Sequence, residues 1–342
     1  MKNNSVFFLG AGFSKAICDF YPDLKNLSEE IETNYSMNND DSLALHFHTI
    51  PDDYKSNIEV LLTYLSSNLP YKTDVQLSMD EALYKDLTKK IADKFHKMPC
   101  EFQNFLVPCS QIIRYIREYA CPCITLNYDL LLENLIYRSY RAGNKAVAQG
   151  GFVNCYQYPI SNPYKTSLNE YIKLDILDNR HSGKIHTKNM PNIIKLHGSI
   201  NWELTDYKAS SIVQYNDEYS DSLLSPFIIP PILDKTKLYE NLTLKKCWNV
   251  AFESLKNAKK IFRYGFSFPE TDLAVKFLFQ SALKLNKHKP KIYVINTESF
   301  NDTSSNYYAK ARYEDIFKDY DIDFQYCCND SLKAFNAAID RL

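Results

Sequence analysis

The chain has 342 residues, of which 45% are hydrophobic and 14% aromatic, enough to form a sizeable core in one large domain or two. Its 40 basic and 41 acidic side chains give a formal net charge of −1, so no basic field attracts nucleic acid. No apolar run approaches the length of a membrane span, and no signal peptide fits before the first apolar run. We therefore expect a cytoplasmic protein that binds neither nucleic acid nor a membrane.

The first distinctive feature in chain order is the segment FFLGAGFSKA at 7–16, where an apolar run meets two closely spaced glycines. The whole chain contains only eight glycines, so two in one turn is a selective use of the residue. Glycines let a strand-to-helix turn approach a ligand closely, and the helix start leaves N–H groups free. An ordinary turn explains the same letters, and the third glycine of the dehydrogenase fingerprint is missing. The segment indicates a pyrophosphate site without indicating hydride transfer.

Short apolar runs rich in β-forming residues recur along the chain, and several are followed by a helical pattern. The runs lie at 5–9, 123–126, 192–196, 226–229, 260–264, 291–295 and 322–326, and the helical patterns at 129–141, 241–258, 271–285 and 331–342. Runs that are apolar throughout are typical of a parallel sheet that is buried on both faces. We therefore predict an α/β fold with a doubly wound, mostly parallel, Rossmann-like sheet.

Two insertions interrupt this alternation within a single domain that spans 1–342. The larger one, 27–120, has a helical pattern with two apolar stripes that indicate ordinary helix packing. The stripes are formed by Leu83, Leu87, Ile91 and Phe95, and by Ile112, Ile113 and Ile116. The smaller insertion, 143–190, is irregular, with strand-like pieces at 152–158 and 171–177.

The nine cysteines do not have the spacing of a zinc site. None forms a Cys-x-x-Cys pair, and a zinc ribbon needs two such pairs. We interpret them as reduced thiols. His46 and His48 lack an evident third ligand, so we expect no metal in this protein.

The candidate site follows from the rule that ligands of an open parallel sheet lie beyond the carboxyl ends of its strands. Five predicted strands are followed there by small, polar or titratable residues. The segments are Gly10-Ala11-Gly12, Asn127-Tyr128-Asp129, His197-Gly198-Ser199, Gly265-Phe266-Ser267 and Asn296-Thr297-Glu298. A helix cap or a core histidine explains any one of them, but five at one edge indicate a ligand site.

In this order and spacing, the segments resemble the sirtuin-like NAD-binding family, specifically its zinc-free bacterial branch in antiphage defence systems. The resemblance is carried by GAGFSKA at 10–16, TLNYDLLLE at 125–133, KLHGSINW at 195–202, YGFSF at 264–268 and VIN at 294–296. The two insertions show no resemblance. The four-cysteine zinc module of the protein-deacetylating members is missing, which argues against a groove for acyl-lysine peptides.

The resemblance implies a role for each matching residue. Asn127 and Asp129 match the pair that faces the nicotinamide ribose, and His197 matches the catalytic histidine. The residues implied in binding NAD are Gly10, Ala11, Gly12, Phe13, Ser14, Gly265, Ser267 and Asn296. Of these, the 10–14 turn would hold the phosphates, Ser267 the phosphates or a ribose, and Asn296 the adenine ribose.

The implied reaction cleaves the nicotinamide–ribose bond of NAD. Because the leaving group is neutral, the site must mainly hold the ribose, stabilise positive charge and present a nucleophile. An Asn amide can orient a water molecule, and a histidine can accept its proton. We therefore expect an NAD glycohydrolase that releases nicotinamide and ADP-ribose and acts in antiphage defence by depleting NAD.

Two alternatives stay open, and each uses the same site. One is a transferase that passes ADP-ribose or an acyl group to a protein. The other is a non-catalytic sensor that binds NAD or an ADP-ribose derivative and only assembles. The resemblance also implies a homo-oligomer controlled by a partner such as a HerA-type ATPase or a short Argonaute, since an unrestrained NAD hydrolase would harm its host.

Overall fold

The computed structural model describes residues 4–18, 21–22, 24–36, 41–96, 103–141, 191–204, 212–214, 226–232, 241–268, 272–297 and 307–342. The predicted insertion at 143–190, with its strand-like pieces, lies outside the described residues. The helices and strands of the described part are, in chain order, β1 (Ser5–Leu9), α1 (Ala11–Ile17), α2 (Leu24–Ser36), α3 (Ser42–Thr49), α4 (Asp52–Lys55), α5 (Ile58–Ser66), α6 (Asp74–His96), α7 (Gln103–Glu118), β2 (Cys123–Thr125), α8 (Leu131–Arg141), β3 (Ile193–Lys195), β4 (Gly198–Leu204), β5 (Ile212–Gln214), β6 (Pro226–Ile228), α9 (Leu242–Lys256), β7 (Lys260–Tyr264), α10 (Leu273–Lys284), β8 (Lys291–Asn296), α11 (Tyr307–Ile316), β9 (Ile322–Cys327) and α12 (Ser331–Ala338).

The main sheet has six parallel strands in the order β3-β2-β1-β7-β8-β9. β1 lies in the middle, with Leu9 paired to Thr125 of β2 on one side and to Tyr264 of β7 on the other. From β1, the chain adds β2 and then β3 on one side. It then returns to the other side of β1 and adds β7, β8 and β9 there. This is the doubly wound α/β arrangement, and the predicted fold class is confirmed.

One predicted strand of this sheet belongs elsewhere. The run 226–229 forms β6, which lies in a separate three-stranded antiparallel sheet of order β5-β4-β6. Phe227 and Ile228 are buried, so the run is apolar throughout even though its strand is not parallel. Apolar content reports burial rather than strand direction, which is why the sequence pattern misplaced this strand.

Two hydrophobic cores fill the described part of the molecule. The main core joins the parallel sheet to helices on both its faces, and it includes Ile112, Ile113 and Ile116 of α7. The second core is formed by α2, α3, α5 and α6, including Leu83, Leu87 and Ile91. This core extends to the residue before α8 and to the small sheet, through Leu130, Ile200, Ile228 and Ile232. The helical region therefore packs in two places: α2 to α6 around a core of their own, and α7 on the main sheet.

A contact between glycines joins β1 to β7 at the carboxyl edge of the sheet. The Gly12 N–H donates to the Gly265 carbonyl at 2.9 Å, and the Gly10 N–H donates to Tyr264 O at 2.8 Å. A Cβ on Gly10 would lie 2.4 Å from Gly265 O, and one on Gly12 would lie 2.6 Å from Gly265 Cα. These glycines are thus required at this contact because two backbones touch there.

We expect Gly265→Ala to destabilise the protein markedly. Gly265 has a φ of +65°, and a Cβ there would lie 2.4 Å from the carbonyl carbon of Gly12. The left-handed conformation costs about 1–3 kcal/mol for a non-glycine residue, and the backbone shift adds a comparable cost. Denaturant unfolding measures the loss, and Ser267→Ala, an exposed change in the same loop, is the control. A Gly265→Ala protein within roughly 0.5 kcal/mol of the parent would contradict this account.

Candidate active site

The predicted site residues line up along the carboxyl edge of the main sheet. Thr125 of β2 pairs with Lys195 of β3, and Asn127 and His197 each follow two residues later. Adjacent strands lie about 4.8 Å apart, so these two polar residues occupy neighbouring positions beyond the sheet. Across β1, the loop at Gly265 follows β7 in the same way. The structure therefore brings the predicted segments to one edge.

The side-chain amide of Asn127 is held in a fixed orientation. Its Nδ2 donates to Gly10 O and to Ser14 Oγ, both at 3.0 Å, and its backbone N–H donates to Thr125 Oγ1 at 3.1 Å. Both amide hydrogens are therefore used within the protein. The side-chain oxygen is left to accept a hydrogen bond from a substrate hydroxyl or a water molecule.

The buried carboxylate of Asp129 anchors this arrangement. It accepts hydrogen bonds from Ser14 Oγ at 3.1 Å, Tyr21 OH at 3.0 Å and the Leu131 N–H at 2.9 Å. Burial raises the pKa of the Asp129 carboxyl above its usual range, and the Lys195 ammonium opposes that rise. Because a carboxylate can only accept, the Ser14 hydroxyl donates its hydrogen bond to Asp129. The Ser14 oxygen in turn accepts a hydrogen bond from Asn127 Nδ2. The chain of hydrogen bonds thus has one direction.

Tyr21, Lys195 and Glu133 belong to this network, although the sequence analysis did not single them out. The fully buried Lys195 donates to Asp129 O at 2.6 Å and to Glu133 Oε1 at 2.9 Å. The sequence did contain a signal for Lys195, because a lysine inside the apolar run 192–196 is buried only if a polar or charged partner is buried with it. Tyr21 gave no comparable signal, since a tyrosine after a helix is common in this Tyr-rich chain.

His197 is buried and held through its backbone. Its carbonyl accepts from the Ile229 N–H at 2.7 Å, so the small sheet fixes the residue beside the end of β3. Its Nε2 lies 3.8 Å from Oδ1 of Asp272, the residue immediately before α10. A carboxylate therefore lies beside the imidazole nitrogen, at a position where the ring could exchange a proton with a ligand. Sequence reasoning missed Asp272, which follows no predicted strand directly.

The predicted NAD-binding residues of the first turn divide into two groups. Ala11 is exposed and Gly12 half-buried, so their backbone can face a ligand. The Phe13 ring instead packs against Tyr264 with centroids 5.4 Å apart, and Ser14 Oγ points inward to Asn127. The side chains of these two residues therefore contact the protein, and their predicted role in binding NAD stays a prediction.

The other predicted binding residues lie on the far side of β1. Ser267 is exposed in the loop after β7, and Asn296 ends β8, where its carbonyl accepts from the Cys328 N–H at 3.0 Å. The loop that carries Ser267 is held from below by Arg263, whose guanidinium donates to Phe266 O. Arg263 is fully buried, and burial lowers its pKa to about 10. It also lies 3.9 Å from the centroid of the Phe268 ring, a cation–π contact.

The described ranges also bear on metal binding and on membrane insertion. No group of three or more His, Cys, Asp or Glu side chains there could hold a metal ion. His46, considered above as a possible ligand, has its Nε2 2.7 Å from Asp80 Oδ1. No helix in that part of the chain is both long and apolar enough to cross a membrane.

The chain is similar to several solved structures and matches one family model. Among solved structures, the chain is similar to a Sir2 homologue mutant in complex with ADP-ribose, with 12% identity, a TM-score of 0.41, and 98% of this chain and 92% of that chain covered. It is likewise similar to a Sir2 homologue mutant bound to 2′-O-acetyl ADP-ribose, with 11% identity, a TM-score of 0.44 and the same coverage. No curated protein matches the chain.

A family model described as a SIR2-like domain matches residues 123–324. The matched region runs from β2 to the middle of β9 and contains Asn127, Asp129, His197, Gly265 and Asn296. Because this region covers more than half of the chain, the protein belongs to the SIR2-like family.

Proposed function

We propose that this protein is an NAD glycohydrolase, which converts NAD and water to nicotinamide, ADP-ribose and a proton. The observation that carries the proposal is the fixed amide of Asn127 beside His197 at the carboxyl edge of the sheet. Membership in the SIR2-like family, whose members are NAD-dependent enzymes, supports NAD as the substrate.

In the proposed reaction, the bond between ribose C1′ and the nicotinamide nitrogen breaks and water forms a new bond to C1′. The bonding electrons leave with nicotinamide, which departs as a neutral molecule and needs no proton. Asn127 Oδ1 accepts a hydrogen bond from the attacking water or a ribose hydroxyl and so orients it. The buried Asp129 carboxylate lies behind this amide and favours positive charge as it develops on the sugar.

The proton released by the attacking water goes to His197 in this scheme. The Asp272 carboxylate, 3.8 Å from Nε2, stabilises the imidazolium that forms. A sensor that only binds NAD needs no such base, so the paired histidine favours catalysis over the non-catalytic alternative. This part of the mechanism uses groups of the chain itself and involves no metal.

We further propose that the enzyme is a zinc-free effector of bacterial antiphage defence that acts by depleting NAD. The support is the resemblance of its motifs to that branch of the family. We propose that it works as a homo-oligomer under a regulatory partner such as a HerA-type ATPase or a short Argonaute. Loss of cellular NAD on infection, in cells that express the chain with its neighbouring gene, would test this role.

The direct test of the reaction is incubation of the purified protein, alone and with its partner, with NAD labelled in the adenine part. We expect free ADP-ribose and nicotinamide in equal amounts, and we expect turnover to survive a metal chelator. Label attached to protein would favour a transferase instead. Saturable binding without any product would favour the sensor.

The substitution His197→Ala should lower kcat by roughly 10²–10⁴-fold, the usual contribution of a general base. Affinity for NAD should change much less, because His197 is not assigned to the phosphates or the adenine. His288→Ala, which removes an exposed histidine far along the chain, is the matched control. Near-normal turnover by His197→Ala would remove this residue from the mechanism.

The substitution Asn127→Asp tests the orientation of the amide. It replaces two donated hydrogen bonds by a carboxylate oxygen that faces the Gly10 carbonyl and Ser14 Oγ, which are both acceptors in this arrangement. Positioning can supply about 7–11 kcal/mol of a barrier, so we expect severe loss of kcat, as for Asn127→Ala. Steady-state kinetics and NAD binding on the folded variants provide the measurement. Robust hydrolysis by Asn127→Asp would show that charge, not orientation, is what this residue contributes.

A further inference from the structure

Lys195 lies behind the candidate site and contacts only protein. Its side chain is fully buried in β3, and its ammonium donates to Asp129 O at 2.6 Å and to Glu133 Oε1 at 2.9 Å. A third, longer contact of 3.4 Å reaches Tyr128 O. An ammonium has three hydrogens, and these contacts account for all of them. Lys195 is therefore directed at the 127–129 turn and at the first turn of α8, not at a substrate.

The contacts of Lys195 fix both the shape and the charge of this turn. Two of its acceptors are backbone carbonyls of the turn, at Tyr128 and Asp129, and they hold the backbone on which the Asp129 side chain stands. The groups that face the Asp129 carboxylate are Ser14, Tyr21 and the Leu131 N–H as donors, Lys195 as a cation and Glu133 as a second carboxylate. Lys195 is the cation in this set, so the ionised form of Asp129 depends on it.

The charge of Asp129 in turn determines the direction of the hydrogen-bond chain. As a carboxylate, Asp129 accepts a hydrogen bond from the Ser14 hydroxyl, and the Ser14 oxygen then accepts one from Asn127 Nδ2. A protonated Asp129 could donate to Ser14 instead, and the serine proton would then point at the Asn127 amide. The amide would then lose its hydrogen bond to Ser14 and keep only the one to the Gly10 carbonyl, so its orientation would be held less firmly.

We propose that Lys195 is a positioning residue for the reaction: by holding the 127–129 turn and its carboxylate, it preserves the Ser14 hydrogen bond that, with the Gly10 carbonyl, fixes the Asn127 amide. The inference rests on the proposed NAD hydrolysis. It goes beyond an ion pair that merely satisfies Glu133, because the shortest contact of the ammonium is with the turn itself.

Lys195 and Glu133 act on Asp129 in opposite directions, and this allows a test. The ammonium lowers the pKa of the Asp129 carboxyl, whereas the Glu133 carboxylate raises it. Removing one member of a buried ion pair leaves an uncompensated charge, but neutralising both is often tolerated. The informative comparison is therefore Glu133→Gln against the double variant Lys195→Met/Glu133→Gln, since these two proteins differ only at Lys195.

We expect the acid limb of the pH profile of kcat to lie at higher pH in the double variant than in Glu133→Gln. The double variant should lose roughly tenfold or more in kcat on the acid limb and recover as the pH rises. Glu133→Gln alone should not move the limb upward. Equal profiles in the two variants would show that Lys195 has only a structural role.

The free energy of unfolding gives an independent readout with the opposite trend. A carboxyl whose pKa is raised by folding contributes stability at low pH, and this is lost as the pH rises through its folded pKa. The double variant should therefore lose stability relative to Glu133→Gln as the pH rises above the usual range of a carboxyl group. A parallel pH dependence of unfolding in the two variants would overturn the proposal even if the enzyme hydrolysed NAD.

The two readouts keep this inference separate from the proposed function. A parent protein without NAD turnover would refute the hydrolase, and the unfolding comparison would still decide whether Lys195 controls the Asp129 carboxylate. If the methionine variant does not fold, Lys195→Gln/Glu133→Gln supplies the same comparison with two neutral amides in place of the ion pair.

Discussion

The structure depends on the contact between the 10–12 turn and the loop at Gly265, where two backbones meet without side chains between them. This contact lies where the sheet changes direction, since β1 pairs with β2 on one side and with β7 on the other. It also fixes the Gly10 carbonyl, which accepts one of the two hydrogens of the Asn127 amide. The same packing that joins the two halves of the sheet therefore sets the position of the amide.

The parallel sheet could be predicted because its strands are buried on both faces, and their sequences report this directly. Residues 5–9 and 123–125 are buried at every position, so their apolar runs stand out from the surrounding helices. The same reasoning misplaced 226–229, which is as apolar as the others because Phe227 and Ile229 lie in the main core and Ile228 in the second. Burial is encoded locally, whereas the partner of a strand depends on contacts that are distant along the chain.

The candidate site was predictable to the same degree and for the same reason. The position of Asn127, Asp129 and His197 follows from the rule for strand ends, but the orientation of their side chains does not. Ser14 shows the difference, because it is in the predicted turn and yet points inward to Asp129. Lys195 shows it as well, since a lysine in an apolar run indicates a buried partner without naming that partner. These details arise from contacts between residues more than 60 positions apart.

The helical region also reaches the site, through the Phe95 ring of α6. Tyr21 donates to Asp129, and its ring packs against Phe95 of α6 with centroids 5.5 Å apart. Phe95 packs in turn against Tyr128, whose centroid lies 5.8 Å away. Tyr21 lies before the predicted insertion 27–120, whereas Phe95 lies within it. Part of the predicted insertion therefore packs against the candidate site through the Phe95 ring.

The balance of buried charges around the 127–129 turn bears on the proposed chemistry. Asp129 and Glu133 are both buried carboxylates, whereas Lys195 is the cation that contacts this turn. With all three ionised, the turn carries one uncompensated negative charge, which is costly in the resting protein. In the proposed reaction, cleavage of the nicotinamide–ribose bond moves the positive charge of the nicotinamide ring onto the sugar. A sugar bound close to this turn would bring that charge next to the excess negative charge, so the turn would stabilise the transition state more than the bound substrate.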